Sequence, residues 1–510
     1  MNKSKTLFAA ALLAGNVAVA APPAAPAVTA GADYKVLRFD WDPVAQSNYY
    51  ELWFKADAGS ALVKFADLPS TRTQASNNIS AHLLKWNQAR YQVRACNSSG
   101  CTPAPDIAVN GLMQGGIGYL KSSHTAGGSR YGDELAYSED GKTLVVVPTF
   151  ETDRATAYVY RLEQGRWVQN AYLTPGDYTG GGTHVQVAMN YDGRVLALRS
   201  GQIVDGREGV VFIYRWDGTT FQLEQTLTSD SPGEFDVFGE SPSFAIEGDR
   251  LLLSSGDGGS DIWRHSSTGW SRYKRFKAVP NAKLAVLSSD GQVLARCVRQ
   301  AGGAVVVQID RTEVPDNNIK TIEVAPASLN HHCTGIDIDH IGSTIAVGHA
   351  PSPPVTAAWD PRVAVVRASG SEYVVTAQLA PGAWQRTIGN RPSFFGDVVR
   401  LSFAGQYLAV SDSNDSGAGH DVVAPPLATS SIANGAVYVY QRRGGGYALR
   451  QVLKPHLVDQ PDFHFGAALA FANQGKALAV GHPSERSAAS GMDGDRDDTS
   501  ADFAGAVWLY

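Results

Sequence analysis

A short hairpin motif that recurs along the chain constrains the fold more than any other sequence feature. Each copy is a tight turn followed at once by an apolar strand. The copies begin at Asp140, Asp192, Gly248, Asp290, Gly342, Gly405 and Gly475. Because Asp-Gly between apolar strands is a signal for a two-residue turn, and the other copies keep a glycine there, the repeat predicts seven β-hairpins. At Asp140, Asp192 and Asp290 the aspartate is interpreted as a turn former.

Two more strands follow each hairpin. The third strand is apolar, as in residues 157–160 and 210–214, and the fourth begins with an aromatic residue, as in residues 167–173 and 447–453. Units of four short strands over roughly 40–70 residues have the size of propeller blades. We therefore predict an all-β protein with a seven-bladed β-propeller over residues 111–510.

The last unit ends at Tyr510 on its third strand, so a fourth strand must come from elsewhere. Residues 116–122, which precede the first hairpin, resemble the exits of the outer strands. Pairing of this segment with the last strand would leave no unpaired edge between the first and last blades. We predict that this N-terminal strand closes the ring.

The C-terminal unit resembles the FG-GAP repeat of integrin α-chains. The resemblance is carried by Phe465-Gly466, by the stretch Val480-Gly481-His482-Pro483, and by residues 505–510, with partial copies at 346–351 and at 395–396 with 435–438. It implies a β-propeller with an adhesive role. The family's usual calcium loop lies in the first hairpin of a blade, and here those turns are too short to carry it.

Residues 34–110 resemble a fibronectin type III domain. The resemblance lies in residues 36–43 with Trp41, in residues 49–54, and in residues 91–97 with Tyr91 at the corner position. It implies a small β-sandwich that precedes the propeller and acts as a spacer or contact module.

The N-terminus predicts export. Residues 1–20 combine a positive start, an apolar run and a small-residue exit, which is the pattern of a signal peptide, and a Pro/Ala-rich linker follows over residues 21–33. No other segment is apolar enough to span a bilayer, so no transmembrane segment is predicted. We expect a secreted or periplasmic protein.

Four cysteines in an exported chain favour two disulfides. Cys96 and Cys101 flank a turn, and Cys297 and Cys333 lie in consecutive repeats. Two buried free thiols are the alternative for the second pair.

The charge pattern argues against nucleic acid as a partner. Charged residues make up 18% of the chain, its net charge is −6, and no basic block is present. The expected partner is a protein or a glycan bound by a monomer.

Acidic residues cluster in two loops between second and third strands. One cluster contains Asp493, Asp495, Asp497 and Asp498, and the other contains Asp412, Asn414 and Asp415, with Asp421 nearby. Such oxygen-rich loops favour Ca²⁺, and a solvated acidic loop is the alternative.

Histidines supply the other candidates. His349 and His482 occupy equivalent places in two repeats, so that with Asp421 they are candidates for one binding face. A zinc site at His331 and His332 is disfavoured because neighbouring strand residues point to opposite faces, so core or channel-lining roles are preferred.

The function predicted from these features is recognition or adhesion without catalysis. No catalytic motif is present, while long loops over residues 351–362, 412–434 and 483–504 should share one face of the propeller. The alternative is a propeller hydrolase or lyase acting on polysaccharide or cell-wall material through Asp412, Asp415 or Asp495.

Overall fold

The structure is a computed structural model. It describes residues 21–86, 88–150, 156–174, 185–204, 207–229, 238–245, 247–256, 258–282, 284–314, 319–352, 359–384, 392–430, 432–457 and 464–510. The predicted signal peptide lies outside these residues. Within them, regular structure is confined to antiparallel strands and short 3₁₀ turns at Ala81–Leu83, Met113–Gly116, Ala327–Leu329 and Asn473–Gly475. The predicted all-β class is confirmed.

The chain divides into two compact units. Among the described residues, the first comprises residues 21–31, Leu37–Asn77 and residues 88–112, and the second comprises Ala32–Val36, Asn78–Trp86 and the described residues from Met113 to Tyr510. The transition at residues 112–113 lies close to the predicted domain start at residue 111. Two short segments from the N-terminal region, however, group with the larger unit.

The N-terminal region contains two small antiparallel sheets. Their strands are β1 Val28–Asp33, β2 Val36–Trp41, β3 Tyr49–Lys55, β4 Val63–Pro69, β5 Gln74–Asn78, β6 Arg90–Asn97, β7 Gly100–Pro103 and β8 Ile107–Ala108. The sheet orders are β1-β2-β5 and β4-β3-β6-β7, with β8 on β6. The predicted linker thus includes β1.

Alternation of apolar and polar residues builds the core of this region. In β2, Leu37, Phe39 and Trp41 are buried between exposed neighbours, as expected for a strand with one solvated face. Trp41 packs edge-on against Tyr50 with ring centroids 5.1 Å apart. The Tyr91 hydroxyl accepts a hydrogen bond from the Asn77 side chain at 2.8 Å.

The larger unit begins with β9 Gly118–Lys121 and continues through seven successive sheets in the described residues, here called propeller sheets 1 to 7. Sheet 1 contains β10 Tyr131–Tyr137, β11 Thr143–Pro148, β12 Ala157–Glu163 and β13 Arg166–Leu173. Sheet 2 contains β14 Gln186–Met189, β15 Val195–Val204, β16 Arg207–Trp216 and β17 Phe221–Thr228. Sheet 3 contains β18 Phe238–Phe244, β19 Arg250–Ser255, β20 Ser260–Ser266 and β21 Gly269–Phe276. Each sheet keeps its strands in chain order.

Sheets 4 to 7 follow the same plan with additions. Sheet 4 contains β22 Leu284–Leu287, β23 Val293–Arg299, β24 Val305–Arg311 and β25 Lys320–Ala325, and sheet 5 contains β26 His331–Ile338, β27 Thr344–Pro351, β28 Arg362–Ser369 and β29 Glu372–Leu379. Sheet 6 contains β30 Val399–Leu401, β31 Tyr407–Asp412, β32 Asp421–Val423, β33 Ala436–Arg443 and β34 Gly446–Lys454. Sheet 7 contains β35 Leu469–Ala472, β36 Ala477–His482, β37 Gly491–Met492 and β38 Ala506–Leu509.

All seven predicted hairpins are present in the described residues, each joining the first and second strands of one sheet. The carboxylates of Asp140, Asp192 and Asp290 accept a hydrogen bond from the backbone N–H two residues later, at 3.0, 3.2 and 3.0 Å. The glycine after each aspartate has a left-handed φ between 67° and 72°. The turns therefore use the aspartate to bond the backbone and the glycine to accept positive φ.

Hydrophobic cores join successive sheets face to face. Buried Val, Leu, Ile and Phe side chains form clusters between sheets 1 and 2, 2 and 3, 3 and 4, 4 and 5, and 5 and 6. A further cluster places Val507 and Leu509 of the last sheet against Tyr131 and Leu144 of the first, together with Leu120 of β9. Consecutive sheets that pack in a series returning to the first one form a β-propeller.

Strand β9 completes propeller sheet 7. It pairs with β38, Val507 opposite Leu120 and Leu509 opposite Gly118, as predicted for residues 116–122. The sheet therefore joins strands from both ends of the unit, and the last apolar strand is not left as an open edge.

Both predicted disulfides are present, and no described cysteine is free. Cys96–Cys101 joins β6 to β7, and Cys297–Cys333 joins β23 of sheet 4 to β26 of sheet 5. The alternative of free thiols at the second pair is excluded. Among the described residues, no helix is long and apolar enough to cross a membrane.

Candidate functional site

The connection between second and third strands is long in propeller sheets 5 to 7. In sheets 1 to 4 this connection spans residues 149–156, 205–206, 256–259 and 300–304 in turn. In sheets 5 to 7 it spans residues 352–361, 413–435 and 483–505. Residues 353–358 are outside the described part. Connections of this kind emerge on one face of a propeller together with the links between sheets, so these three loops share a face, here called the loop face.

The loops of sheets 6 and 7 fold back onto their own sheets in the same way. Each adds a short fifth strand, β32 on β34 and β37 on β9. Asp421 lies opposite Lys454, and Gly491 lies opposite Lys121. The fifth strand covers the outer edge of its sheet and fixes the loop by backbone hydrogen bonds.

A buried ion pair lies beneath each of these loops. In sheet 6, Lys454 Nζ donates to Asp415 Oδ1 at 2.8 Å, and both side chains are 0% exposed. Tyr438 and Trp384 donate to the other carboxylate oxygen at 2.5 and 3.1 Å. The Gly417 N–H is a fourth donor to the same carboxylate. Because four protein donors satisfy it, the Asp415 carboxylate can be buried.

Sheet 7 repeats the arrangement. Lys121 Nζ donates to Glu485 at 2.5 Å with both side chains buried. Tyr119 donates to the same carboxylate at 2.8 Å, and the Ser487 N–H donates at 2.9 Å. Two of the long loops are thus fixed at their base by the same chemistry.

The residues predicted to bind calcium in sheet 6 form hydrogen bonds within the protein at the point where the loop joins its sheet. Asp412 is buried and accepts hydrogen bonds from Ser393 at 2.6 Å and from the Phe394 N–H at 2.9 Å. Burial is the main cause that raises the pKa of Asp412 to about 7. Asn414 donates to the carbonyl of Pro392. The Lys454 ammonium supplies a positive charge beside Asp415, and calcium at this loop remains an untested prediction.

The acidic residues of sheet 7 lie apart from one another. Asp493 accepts from the Tyr119 N–H, Asp495 from the Asp497 N–H, and Asp498 from the Ala488 N–H. Within the described part of the chain, no three of these carboxylates converge closely enough to hold a metal ion. Calcium binding here also remains a prediction.

His349 and His482 lie buried, not at an exposed rim of the binding face. His349 lies two residues before the end of β27 and His482 ends β36, and every residue of both strands is buried. His349 Nδ1 hydrogen-bonds His331 Nδ1 at 2.8 Å, and burial lowers the pKa of His349 to about 4. His332 on the neighbouring position does not join this pair, in agreement with the alternation predicted for the strand.

Asp421 has partners that the sequence did not reveal. Its carboxylate contacts His420 Nδ1 at 2.8 Å and His456 Nδ1 at 3.1 Å. On the other side of the imidazole, His456 Nε2 lies 3.1 Å from Asp497. The hydrogen bond with Asp421 is the main cause that raises the pKa of His456. Asp421 and Asp497 came from the predicted loops, but His456 follows β34, and only the fold brings it to them.

A second site lies at the centre of the propeller. A cavity of about 440 Å³ is lined by the first strands of all seven propeller sheets. Four half-buried carboxylates lie on its wall, those of Glu134, Glu139, Asp337 and Asp397, and the Arg400 side chain lines the same cavity. Burial raises the pKa of Glu134, Glu139 and Asp397 to about 7 and that of Asp337 above its usual range.

Replacing Glu134 by glutamine should flatten the dependence of stability on pH. The folded-state pKa of Glu134, about 7, exceeds its ordinary value of 4.5, so the folded protein binds more protons than the unfolded one between these values. The free energy of unfolding should therefore fall as pH rises from about 4.5 to about 7. Urea denaturation at pH 5 and pH 8 measures this fall, which should be smaller in Glu134→Gln. Glu163→Gln, on an exposed position, is the control, and equal slopes in all three proteins would disprove the effect.

The chain matches no protein-family profile and no curated protein sequence. Solved structures with some similarity include a chain of the mitotic checkpoint complex, at 13% identity over 71% of this chain and 87% of the other, with a TM-score of 0.44. The WD40 repeats of RRP9 show 14% identity over 77% and 96% of the two chains, with a TM-score of 0.45. A provisionally assigned 6-phosphogluconolactonase from Bacteroides uniformis shows 9% identity over 80% and 98%, with a TM-score of 0.44. At these TM-scores the likenesses carry no argument about function.

Proposed function

We propose that this chain is an exported recognition protein that binds a protein or a glycan through the loops of propeller sheets 5 to 7. The observation that carries the proposal is the shared construction of the loops of sheets 6 and 7. Each is long, and each is held by a fifth strand and a buried lysine–carboxylate pair. A preorganised loop loses little conformational entropy when a ligand binds.

The scaffold proposed for these loops is a seven-bladed propeller of the FG-GAP type behind a fibronectin type III-like domain. The succession of seven sheets in the described residues and the β9–β38 pairing support the blade count. The two antiparallel sheets around the buried Trp41 support the sandwich. The two disulfides favour an oxidising compartment, in agreement with export to the periplasm or the medium.

Exposed aromatic side chains supply contact area on the loop face. Phe503 lies in the loop of sheet 7 and is 45% exposed, and Phe394 lies in the link that enters sheet 6 and is also exposed. Large aromatic side chains on rigid loops are common anchors of binding interfaces. Ile341, 49% exposed, lies in the first hairpin of sheet 5, and hairpins of that kind emerge on the opposite face.

Substitution of these aromatics should weaken ligand binding without unfolding the protein. The full chain is screened on a glycan array and by pull-down from envelope or matrix extracts, and the hit is measured by calorimetry. Phe503→Ala and Phe394→Ala should each reduce the affinity by about tenfold or more, the size of an anchor residue. Ile341→Ala, which removes a similarly exposed apolar side chain, should leave it unchanged. An affinity that is equal in all three variants would place the binding site elsewhere.

The central cavity favours a propeller hydrolase or lyase as the second candidate. Carboxyl groups whose pKa lies near 7, such as those of Glu134 and Asp397, suit general acid–base catalysis. Asp412 and Asp415 are fully buried and reach no cleft. Turnover of polysaccharide or peptidoglycan that is lost in Asp397→Asn would favour catalysis over recognition.

A further inference from the structure

The structure assigns a metal site to His420, Asp421 and His456 on the loop face. We propose that these three side chains bind one divalent transition-metal ion, with Zn²⁺ as the expected species. This inference goes beyond the recognition function, because metal binding needs no protein or glycan ligand and is measured separately.

The three ligand atoms already lie close together. Asp421 Oδ2 is 2.8 Å from His420 Nδ1, and Asp421 Oδ1 is 3.1 Å from His456 Nδ1. One ligand atom from each of the three residues lies within 4.8 Å of the others. Tetrahedral zinc with ligands at about 2.0–2.1 Å needs neighbouring ligand atoms about 3.3–3.4 Å apart. Small side-chain rotations would therefore bring the three atoms to ligand positions, provided that the Gln114 side-chain nitrogen, which lies 3.0 Å from His456 Nδ1, moves away.

The backbone holds these residues in place from two sides. Asp421 begins β32 and lies opposite Lys454 in the β32–β34 pair, and His456 follows Lys454 by two residues. Asp421 also has a left-handed φ of 57°, a conformation that non-glycine residues rarely adopt and that is often retained at functional sites. Its carboxylate is 4% exposed, so it is a desolvated anion that gains from a cation.

A supporting hydrogen bond orients one of the imidazoles. With the metal on Nδ1 of His456, the opposite nitrogen Nε2 would carry the proton and donate it to Asp497, which lies 3.1 Å away. A metal-binding histidine is commonly oriented by such a carboxylate, which also makes the imidazole a better donor. The acidic loop of sheet 7 thus contributes to the site through Asp497 without binding the ion.

The donor set selects the kind of metal. Two imidazole nitrogens and one carboxylate suit zinc and its neighbours, whereas Ca²⁺ prefers six to eight oxygens. Three protein ligands would leave one position of a four-coordinate zinc for water or another ligand.

Calorimetric titration of the tag-free, metal-free full chain with ZnCl₂ at pH 7.5 tests the assignment. One ion per chain should bind, with no comparable response to CaCl₂. His420→Ala and His456→Gln should each lower the zinc affinity by at least about tenfold, and Asp497→Asn by about 10-fold to 100-fold, the range for supporting carboxylates.

His265→Ala is the matched control, because His265 pairs with one carboxylate, Glu224, at 2.9 Å and belongs to no group of three possible metal ligands among the described residues. Its zinc affinity should equal that of the unchanged protein. Circular dichroism checks that each variant is folded, and if His456→Gln is not, the exposed His420→Ala decides. Absence of zinc binding, or an affinity unchanged in His420→Ala, would overturn the site. Loss of zinc binding in a variant that still binds the protein or glycan ligand would separate this site from recognition.

Discussion

Replacing Lys454 by methionine should lower the free energy of unfolding by about 3–5 kcal/mol. The ammonium is the counter-charge of Asp415, and both side chains are fully buried. Methionine fills similar space but leaves the carboxylate without its cation, and an uncompensated buried charge is expensive. Chemical denaturation monitored by tryptophan fluorescence measures the change.

Three comparison variants make this result specific. Lys320→Met removes an exposed pair with Glu372 and should cost no more than about 1 kcal/mol. The double variant Lys454→Met, Asp415→Asn should recover part of the loss, because the amide oxygen still accepts hydrogen bonds and carries no charge. Lys121→Met should resemble Lys454→Met, since Lys121 makes the equivalent pair in sheet 7. A loss below 1 kcal/mol for Lys454→Met would show that the ion pair does not stabilise the loop base.

Removal of β9 should produce the second large effect. A chain that lacks residues 1–123 should melt at least about 5 °C below a chain that lacks residues 1–112, and it should self-associate. Tyr119 and Leu120 are fully buried, truncation of either costs about 2–5 kcal/mol, and each kcal/mol lowers the melting temperature of a large domain by about 2 °C. Deletion also exposes β38 as an unpaired edge.

The comparison of the two deletions isolates the closing strand. Both lack the segments Ala32–Val36 and Asn78–Trp86, which belong to the propeller unit, so that loss affects them equally. Scanning calorimetry and light scattering give the melting temperature and the oligomeric state. The full-length variant Leu120→Asp should shift the melting temperature in the same direction. If the two deletions melt together and stay monomeric, β9 does not close the propeller.

Local sequence signals predicted the repeating part of the fold. The Asp-Gly turns at Asp140, Asp192 and Asp290 and the apolar strands after them are set by neighbouring residues, and the structure contains them at those positions. The disulfide pairs followed from the positions of the cysteines beside a turn and in consecutive repeats, and the role of residues 116–122 followed from counting strands. These features depend on order along the chain, which is visible in the sequence.

The candidate site depends on contacts between segments that are far apart along the chain, and the sequence alone does not show such contacts. No local pattern marks Lys454 as the partner of Asp415, or His456 as a neighbour of Asp421 and Asp497. The short strands β32 and β37 lack the alternating pattern of longer strands and form because their loops fold back. The sequence offered one indirect signal in sheet 6, an acidic loop followed two long strands later by Lys454 at the end of β34 and by His456 just after it.

The pairing of β9 with β38 also sets a condition on biosynthesis. Residues 118–121 leave the ribosome long before residues 506–509, to which they bond. Until then β9 lacks β38, the strand with which it forms most of its pairs, and sheet 7 cannot be completed against sheet 1. Pairings between distant segments form late and leave partly folded chains open to association. A nascent chain that stalls before β38 therefore carries β9 without its main partner, next to a face of sheet 1 that is not fully covered. These are the surfaces that a chaperone must protect.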